Sequence, residues 1–398
     1  MIKFDFETYA KHFLNQEEYN HLLSKKEEYI EKLNNCSMVG WMKEIDKTIV
    51  DKIKKTAEII RTNYDCLVVV GIGGSFLGSY AFHQMFKKYF NDDSFEIIYA
   101  GTTLSAEYLD ELTNYLANKN FCLNIISKSG TTMETSITYK VLKDLLKRQY
   151  SEEELMNHII LTTDKEKGKL REEVNEKGYL SFEIPEDIGG RYSFITPAHL
   201  LPLALNYDLD KIIDGYYDGK RYIDKAYEYA VTRRLLFDEK KQVENFCVYE
   251  EKLSAFTEWL KQLFGETEGK ENVGIYPTSS VHTRDLHSLG QFVQEGNKIL
   301  FETFIKIENS SHYIDYKGKE LHEINNLVED SVMRAHHMGN VPCLEIILDS
   351  LETENIASLI YFFQMAAAFS GLLFGVDPFN QPGVEVYKKE VRESLGEL

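Results

Sequence analysis

The stretch Cys122-Leu123-Asn124-Ile125-Ile126-Ser127-Lys128-Ser129-Gly130-Thr131-Thr132-Met133-Glu134-Thr135 decides how this chain is read. Its first five residues are apolar but for Asn124 and read as a strand buried on both faces. After Thr132 the period changes. Met133, Ile137, Val141, Leu142 and Leu145 then fall on one helical face. A hydroxyl-rich loop therefore joins the end of a strand to the start of a helix. The free N–H groups of a helix's first turn, with the positive end of its dipole, receive anions. Ser127, Ser129, Thr131 and Thr132 add four hydroxyls that donate to phosphate oxygens without a metal. A competing reading is a helix cap, since Thr131-x-x-Glu134 is a capping box. The two readings are compatible.

Around this loop, short apolar runs alternate with helical patterns. Residues 66–70, 95–100 and 158–162 read as further strands. A second series has strands at 246–249, 273–277, 299–307 and 341–348, with helices over 254–264 and 353–375. Continuous apolar strands alternating with helices predict an α/β protein built on doubly wound parallel sheets flanked by helices. The polar first part, rich in Lys and Glu, predicts an N-terminal helical segment over 1–55. Two α/β domains are expected at 56–200 and 201–375, and a C-terminal helix at 376–398.

Composition narrows the function. The 398 residues are 43% hydrophobic and 27% charged, enough to bury large cores. The net charge is −19, and no basic run supplies the footprint of a nucleic-acid binder. An anionic ligand would be held by local N–H groups and a few cations against this field. Five scattered Cys without CxxC or Cys/His ligand spacing predict reduced thiols in a cytoplasmic protein and no metal site. The N-terminus lacks an apolar signal core. Residues 356–376 carry no charge and approach the length of a membrane span. Interrupting Ser, Gln and Gly residues make a buried core helix the better reading, so no membrane is expected.

Further motifs surround the hydroxyl loop. Gly71-Ile72-Gly73-Gly74-Ser75-Phe76-Leu77-Gly78 comes directly after the first strand. Phe76 stands where a dinucleotide fingerprint needs glycine, and no GKS or GKT makes a phosphate-binding lysine loop. What remains is a tight turn that lets backbone approach a ligand, with Ser75 at the carboxyl end of a strand, where ligands bind open α/β sheets. Gly189-Gly190-Arg191-Tyr192-Ser193 places an arginine after two glycines, either as a cation in a cleft or as a surface ion pair. Gln262 and Glu266 lie four apart, off the apolar face made by Phe256, Trp259, Leu260, Leu263 and Phe264. They are either solvated or, for Glu266, placed as a general base. His287 is isolated, and Gln381, Glu385 and Lys388 fall on one face of a helix expected to start at Pro382.

Taken in order, GIGGSFLG (71–78), SKSGTTMET (127–135), GGRYS (189–193), QLFGETEGK (262–270), DLHSLGQFVQEG (285–296) and FNQPGVEVYK (379–388) resemble the glucose-6-phosphate isomerase family. The resemblance runs from about residue 60 to the end. It implies two sugar-phosphate isomerase-like (SIS) domains. It also implies interconversion of D-glucose 6-phosphate and D-fructose 6-phosphate through a cis-enediol, in glycolysis and gluconeogenesis, with no metal or organic cofactor. By position, Ser75, Ser127, Ser129 and Thr132 match phosphate-binding residues, with Lys128 contributing through its backbone and Thr135 adding a contact. Gly190 precedes Arg191, which matches the group that stabilises the enediolate. Glu266 matches the base that moves a proton between C1 and C2. His287 and Lys388 match residues assisting ring opening, and Gln262 and Gln381 match sugar contacts. The resemblance further implies a homodimer with shared active sites, a small-molecule sugar phosphate as the ligand, and a cytoplasmic setting. Two alternatives stay open: a sugar-phosphate sensor, which needs the hydroxyl loop but not Glu266, Arg191 or His287, and an isomerase of another sugar phosphate.

Overall fold

The computed structural model describes residues 1–396. Among them are twelve strands: β1 (Ile2–Tyr9), β2 (Cys66–Val70), β3 (Glu96–Ala100), β4 (Phe121–Ile126), β5 (Ile159–Thr163), β6 (Leu180–Glu183), β7 (Val243–Val248), β8 (Tyr276–Val281), β9 (Leu300–Ile307), β10 (Asp315–Tyr316), β11 (Lys319–Glu320) and β12 (Cys343–Leu348). The chain divides into two compact units, Ser37–Ile213 and Met1–Cys36 together with the chain from Asp214 onward.

In the 37–213 unit, β3-β2-β4-β5-β6 form one parallel sheet. The apolar runs that mark its central strands are buried on both faces, as every residue of β2, β4 and β5 shows. Leu142, Leu145 and Leu146 of the Met133–Leu146 helix pack on this core. Ile137, expected on that apolar face, is 41% exposed instead. The buried face carries Thr135, Thr138 and Tyr139, which a pattern of apolar residues does not reveal.

The other unit holds the sheet β1-β12-β9-β7-β8 and a small β10–β11 hairpin. β7, β8, β9 and β12 are parallel, and β1 closes the edge antiparallel to β12. The expected helical segment over 1–55 thus begins with a strand, and the units divide at 36/37 and 213/214 rather than at 55/56 and 200/201. β1 buries only Ile2 and Phe6 fully, and its partner lies more than 300 residues away. β8 starts at Tyr276 instead of 273, because Gly274 sits at φ +107° just before it. Pro277 is tolerated there since β8 is an edge strand.

The uncharged segment forms the Thr353–Leu373 helix, long and apolar enough to cross a membrane. Its most apolar window is 89% buried against protein, which fits the core helix expected.

Candidate functional site

The strand order of the 37–213 sheet reverses between β2 and β4. In such sheets the crevice at the carboxyl ends of the strands flanking the reversal is the ligand position. The loop 71–75 leaves β2 there and the loop 127–132 leaves β4, so Ser75 and the hydroxyl loop do share one sheet edge.

The loop 127–132 is held by its own polar groups. Buried Ser127 accepts from the Gly130 N–H at 3.1 Å. Ser129 Oγ lies 2.9 Å from Thr131 Oγ1 and accepts from the Thr131 N–H at 3.2 Å. Gly130 takes φ +70°, and an added Cβ would meet the Leu170 backbone at 2.8 Å, so only glycine fits. The helix N-cap is Thr132, not Thr131, and its side chain makes no capping hydrogen bond. The capping box therefore does not form. The Thr132 hydroxyl instead lies 3.5 Å from Ser127 Oγ. First-turn N–H groups without a side-chain acceptor, beside four hydroxyls, make an anion cradle. Thr135 is buried in that first turn, and Lys128 is exposed with its Nζ 3.5 Å from the Glu186 carbonyl.

The turns at 71–75 and 189–193 touch. A Cβ on Gly74 would stand 2.3 Å from the Gly190 carbonyl carbon. Ser193 Oγ donates to the Gly74 and Gly190 carbonyls, 3.1 and 2.6 Å away. Buried His199 completes the clasp. Its Nδ1 accepts from the Ser79 N–H at 3.1 Å, which leaves Nε2–H to donate to the Gly74 carbonyl at 2.8 Å. Burial pulls its pKa down to about 4, so it stays neutral in this role near pH 7. Arg191, with its guanidinium 5.6 Å from the Tyr192 ring, is thereby fixed close to the Ser75 turn and is only 2% exposed.

In the other unit the Ser254–Glu268 helix buries Phe256, Trp259, Leu260, Leu263 and Phe264 as the periodicity predicts. Gln262 and Glu266 are half-buried off that face, and Gln262 Nε2 donates to Glu266 Oε1 at 3.3 Å. Gln262 Oε1 is buried with no hydrogen-bond partner among the described residues. His287 lies in the first turn of a separate helix, Leu286–Glu295, and is exposed. The C-terminal helix runs Val384–Leu395 with Gly383 as N-cap, so Pro382 is not its first residue and Gln381 lies outside it. Lys388 pairs with Glu385 at 2.9 Å on its exposed surface. Val386, Tyr387 and Val391 are all exposed.

Two groups of polar residues escaped sequence reading. Arg233, Glu244, Glu268 and Ser370 form a buried network. Cys247, His282 and Glu302 place one ligand atom each within 4.8 Å of the others, all buried, although no Cys/His spacing announced it. They come from or beside three strands, so only the sheet brings them together. Most of their polar atoms belong to a hydrogen-bonded core: Cys247 Sγ donates to Glu302 Oε1 at 3.3 Å, His336 Nδ1 stands 2.6 Å from Glu302 Oε2, and His282 Nε2 lies 3.0 Å from Ser280 Oγ. His282 Nδ1 is buried without a hydrogen-bond partner among the described residues.

Residues 29–315 match the family model described as phosphoglucose isomerase. The chain belongs to the phosphoglucose isomerase family. A glucose-6-phosphate isomerase of Staphylococcus saprophyticus is 38% identical, with 94% of this chain and 93% of that protein covered. A hypothetical protein from Thermus thermophilus superposes with a TM-score of 0.87 at 25% identity, covering 99% of this chain and 100% of that one. A glucose-6-phosphate isomerase from Chlamydia trachomatis shares the fold, with a TM-score of 0.81 at 18% identity, over 95% of this chain and 85% of that one. The phosphoglucose isomerase fold accounts for the two helix-flanked parallel sheets read from the sequence.

Proposed function

We propose that this chain interconverts D-glucose 6-phosphate and D-fructose 6-phosphate through a cis-enediol intermediate, as a glycolytic and gluconeogenic aldose–ketose isomerase. The observation that carries the substrate class is the hydroxyl loop at 127–132, which meets a helix N-terminus uncapped by any side chain at the sheet's reversal point. Ser75, Ser127, Ser129 and Thr132 take the phosphate oxygens, with Lys128 contributing through its backbone and Thr135 adding a contact from the first turn. The phosphate then supplies binding energy that places a flexible sugar for reaction.

The chemistry needs an open chain, one base and one cation. His287 and Lys388 assist ring opening. Glu266 takes the proton from C2 of the aldose, and the C2–H electrons become the C1=C2 double bond as the C1 carbonyl oxygen gains negative charge. Arg191, beside Gly190, offsets that charge. The C2 hydroxyl proton passes to the C1 oxygen, Glu266 returns its proton to C1, and the charge left on the C2 oxygen collapses to the C2 carbonyl, giving the ketose with a C1 hydroxyl. No electrons leave the sugar, so no redox cofactor is required, and Arg191 supplies the positive charge that a metal would otherwise bring to the enediolate oxygen. Gln262, with an unpaired buried carbonyl, and Gln381 hold sugar hydroxyls. The working unit is a cytoplasmic homodimer in which His287 serves the partner's site. Its ligand is the sugar phosphate alone, with no nucleic acid or membrane involved.

A coupled assay supplied with fructose 6-phosphate tests this reading. Glucose 6-phosphate should form, with EDTA without effect. Tight sugar-phosphate binding with no turnover would favour the sensor. Mixing inactive Glu266→Gln and His287→Ala chains under subunit exchange should restore part of the activity if sites are shared.

A further inference from the structure

Glu266 lies two residues before the end of its helix, and the residue that ends it is Glu268. At 100° per residue the two point to opposite sides of the axis. Glu268 is wholly buried, and both its oxygens are engaged. Arg233 Nη1 and Nη2 donate to its two oxygens at 2.8 and 2.9 Å. Ser370 Oγ donates to Oε2 at 2.5 Å, and the Ile275 N–H to Oε1 at 3.1 Å. Arg233 is itself inaccessible. Its Nε donates to Glu244 Oε2 at 2.8 Å, and Nη1 donates also to Ser370 Oγ at 2.6 Å. Its guanidinium lies 4.1 Å from the ring of Phe264, one turn before Glu268. Glu244 in turn accepts from Tyr229 and from Thr303.

A buried ion network of this kind gives little stability over apolar packing of the same volume. What it gives is direction. The planar fork of arginine accepts a carboxylate in one orientation, whereas apolar contacts tolerate small rotations. The apolar stripe of Trp259, Leu260 and Leu263 holds this helix to the core. The pair between Arg233 and Glu268 sets how its last turn is rotated.

We infer that Arg233 is a positioning residue for the reaction: its bidentate pair with Glu268 fixes the last turn of the helix and so aims the Glu266 carboxylate from the opposite face. The inference rests on the reading of Glu266 as the base. Arg233 touches no substrate and moves no proton.

The test is a double-mutant cycle in kcat. Glu268→Gln keeps the shape but breaks the charged fork, and Ser370→Ala removes one hydroxyl from the same network. Each is made in the wild-type chain and in the Glu266→Gln chain, and folding is checked by thermal melting. In the wild-type background kcat should fall by roughly 10–100-fold, the scale of a small misplacement of a reacting group, with KM for fructose 6-phosphate changed by less than about twofold. In the Glu266→Gln background the same changes should have almost no further effect, because they act through the group already removed. Equal losses in both backgrounds would mean a general structural role and would overturn the inference. So would full activity of a folded Glu268→Gln enzyme. Ser370→Ala carries the cycle if Glu268→Gln does not fold. Retained turnover in Glu266→Gln alone would sink the base assignment instead, and is read before the cycle begins.

Discussion

In the 37–213 unit the order β3-β2-β4-β5 reverses between β2 and β4, and in the other unit the order β8-β7-β9-β12 reverses between β7 and β9. The strand orders correspond, yet the residues at the carboxyl ends of the strands differ. After β2 and β4 come glycines and hydroxyls, in 71–75 and 127–132. After β7 come Tyr249 and Glu250, and after β9 comes Glu308. Buried Glu329 feels the charges of Glu250, Asp330 and Glu345. The first reversal is lined by groups that donate hydrogen bonds, and the second is flanked by carboxylates. The second unit offers its candidate base from the other end of its strands: Glu268, two residues past Glu266, is tied through Arg233 to Glu244 at the start of β7. A shared topology thus supplies two frames, and on the proposed reading side chains decide that one binds and the other reacts.

The largest expected effect breaks or confirms that division. Glu266→Gln keeps size and hydrogen bonding but removes the proton acceptor. Its kcat should fall by roughly 10²–10⁴-fold in the coupled assay. Turnover near that of the wild type would end the assignment.

How much of this division was legible beforehand depends on the distance between partners. β2, β4, β5 and β9 are largely apolar runs, and both the hydroxyl loop and the Gln262–Glu266 face emerge from local period. β1 was hidden because its pairing with β12 spans almost the whole chain. The Thr131 cap reading failed by one residue because backbone geometry, not side-chain type, chose Thr132. The Arg233 network, the His199 clasp and the Cys247–His282–Glu302 cluster join residues from separate elements, so no spacing rule exposes them. The family motifs mark which residues matter, whereas the packing that aims them appears only in three dimensions.

Stability should separate the units next. Arg233→Met leaves Glu244 and Glu268 buried without their cation. Urea unfolding should then lose about 3–5 kcal/mol, the scale of a broken buried pair. A loss below about 1 kcal/mol would mean that water or neighbouring groups already compensate these carboxylates.

Glu329 tests the acidic reversal point. Burial pushes its carboxyl up to about 8, with Lys306 opposing and Glu345, Asp330 and Glu250 adding to the rise. Between pH 4.5, the ordinary glutamate value, and about 8, the folded state therefore holds a proton that the unfolded state has released. Stability falls as pH rises through that window. Glu329→Gln should raise stability at pH 8 by on the order of a few kcal/mol and change it little near pH 4.5. Equal effects at both pH values would show that this charge is not what burial penalises.

The smallest effect belongs to the anion cradle. Thr132→Val removes one hydroxyl from a residue whose side chain does not cap its helix, so stability should hold while sugar-phosphate binding weakens by roughly 1–3 kcal/mol. Unchanged affinity would count against phosphate at this loop.

Titration of fructose 6-phosphate into Glu266→Gln and into Thr132→Val, side by side, tests the division of labour most directly. The account predicts that Glu266→Gln binds within about threefold of the wild type, since its lost interaction belongs to the transition state. Thr132→Val should bind more weakly while its kcat at saturation stays within about tenfold of the wild type. Lost binding in Glu266→Gln together with normal binding in Thr132→Val would contradict it.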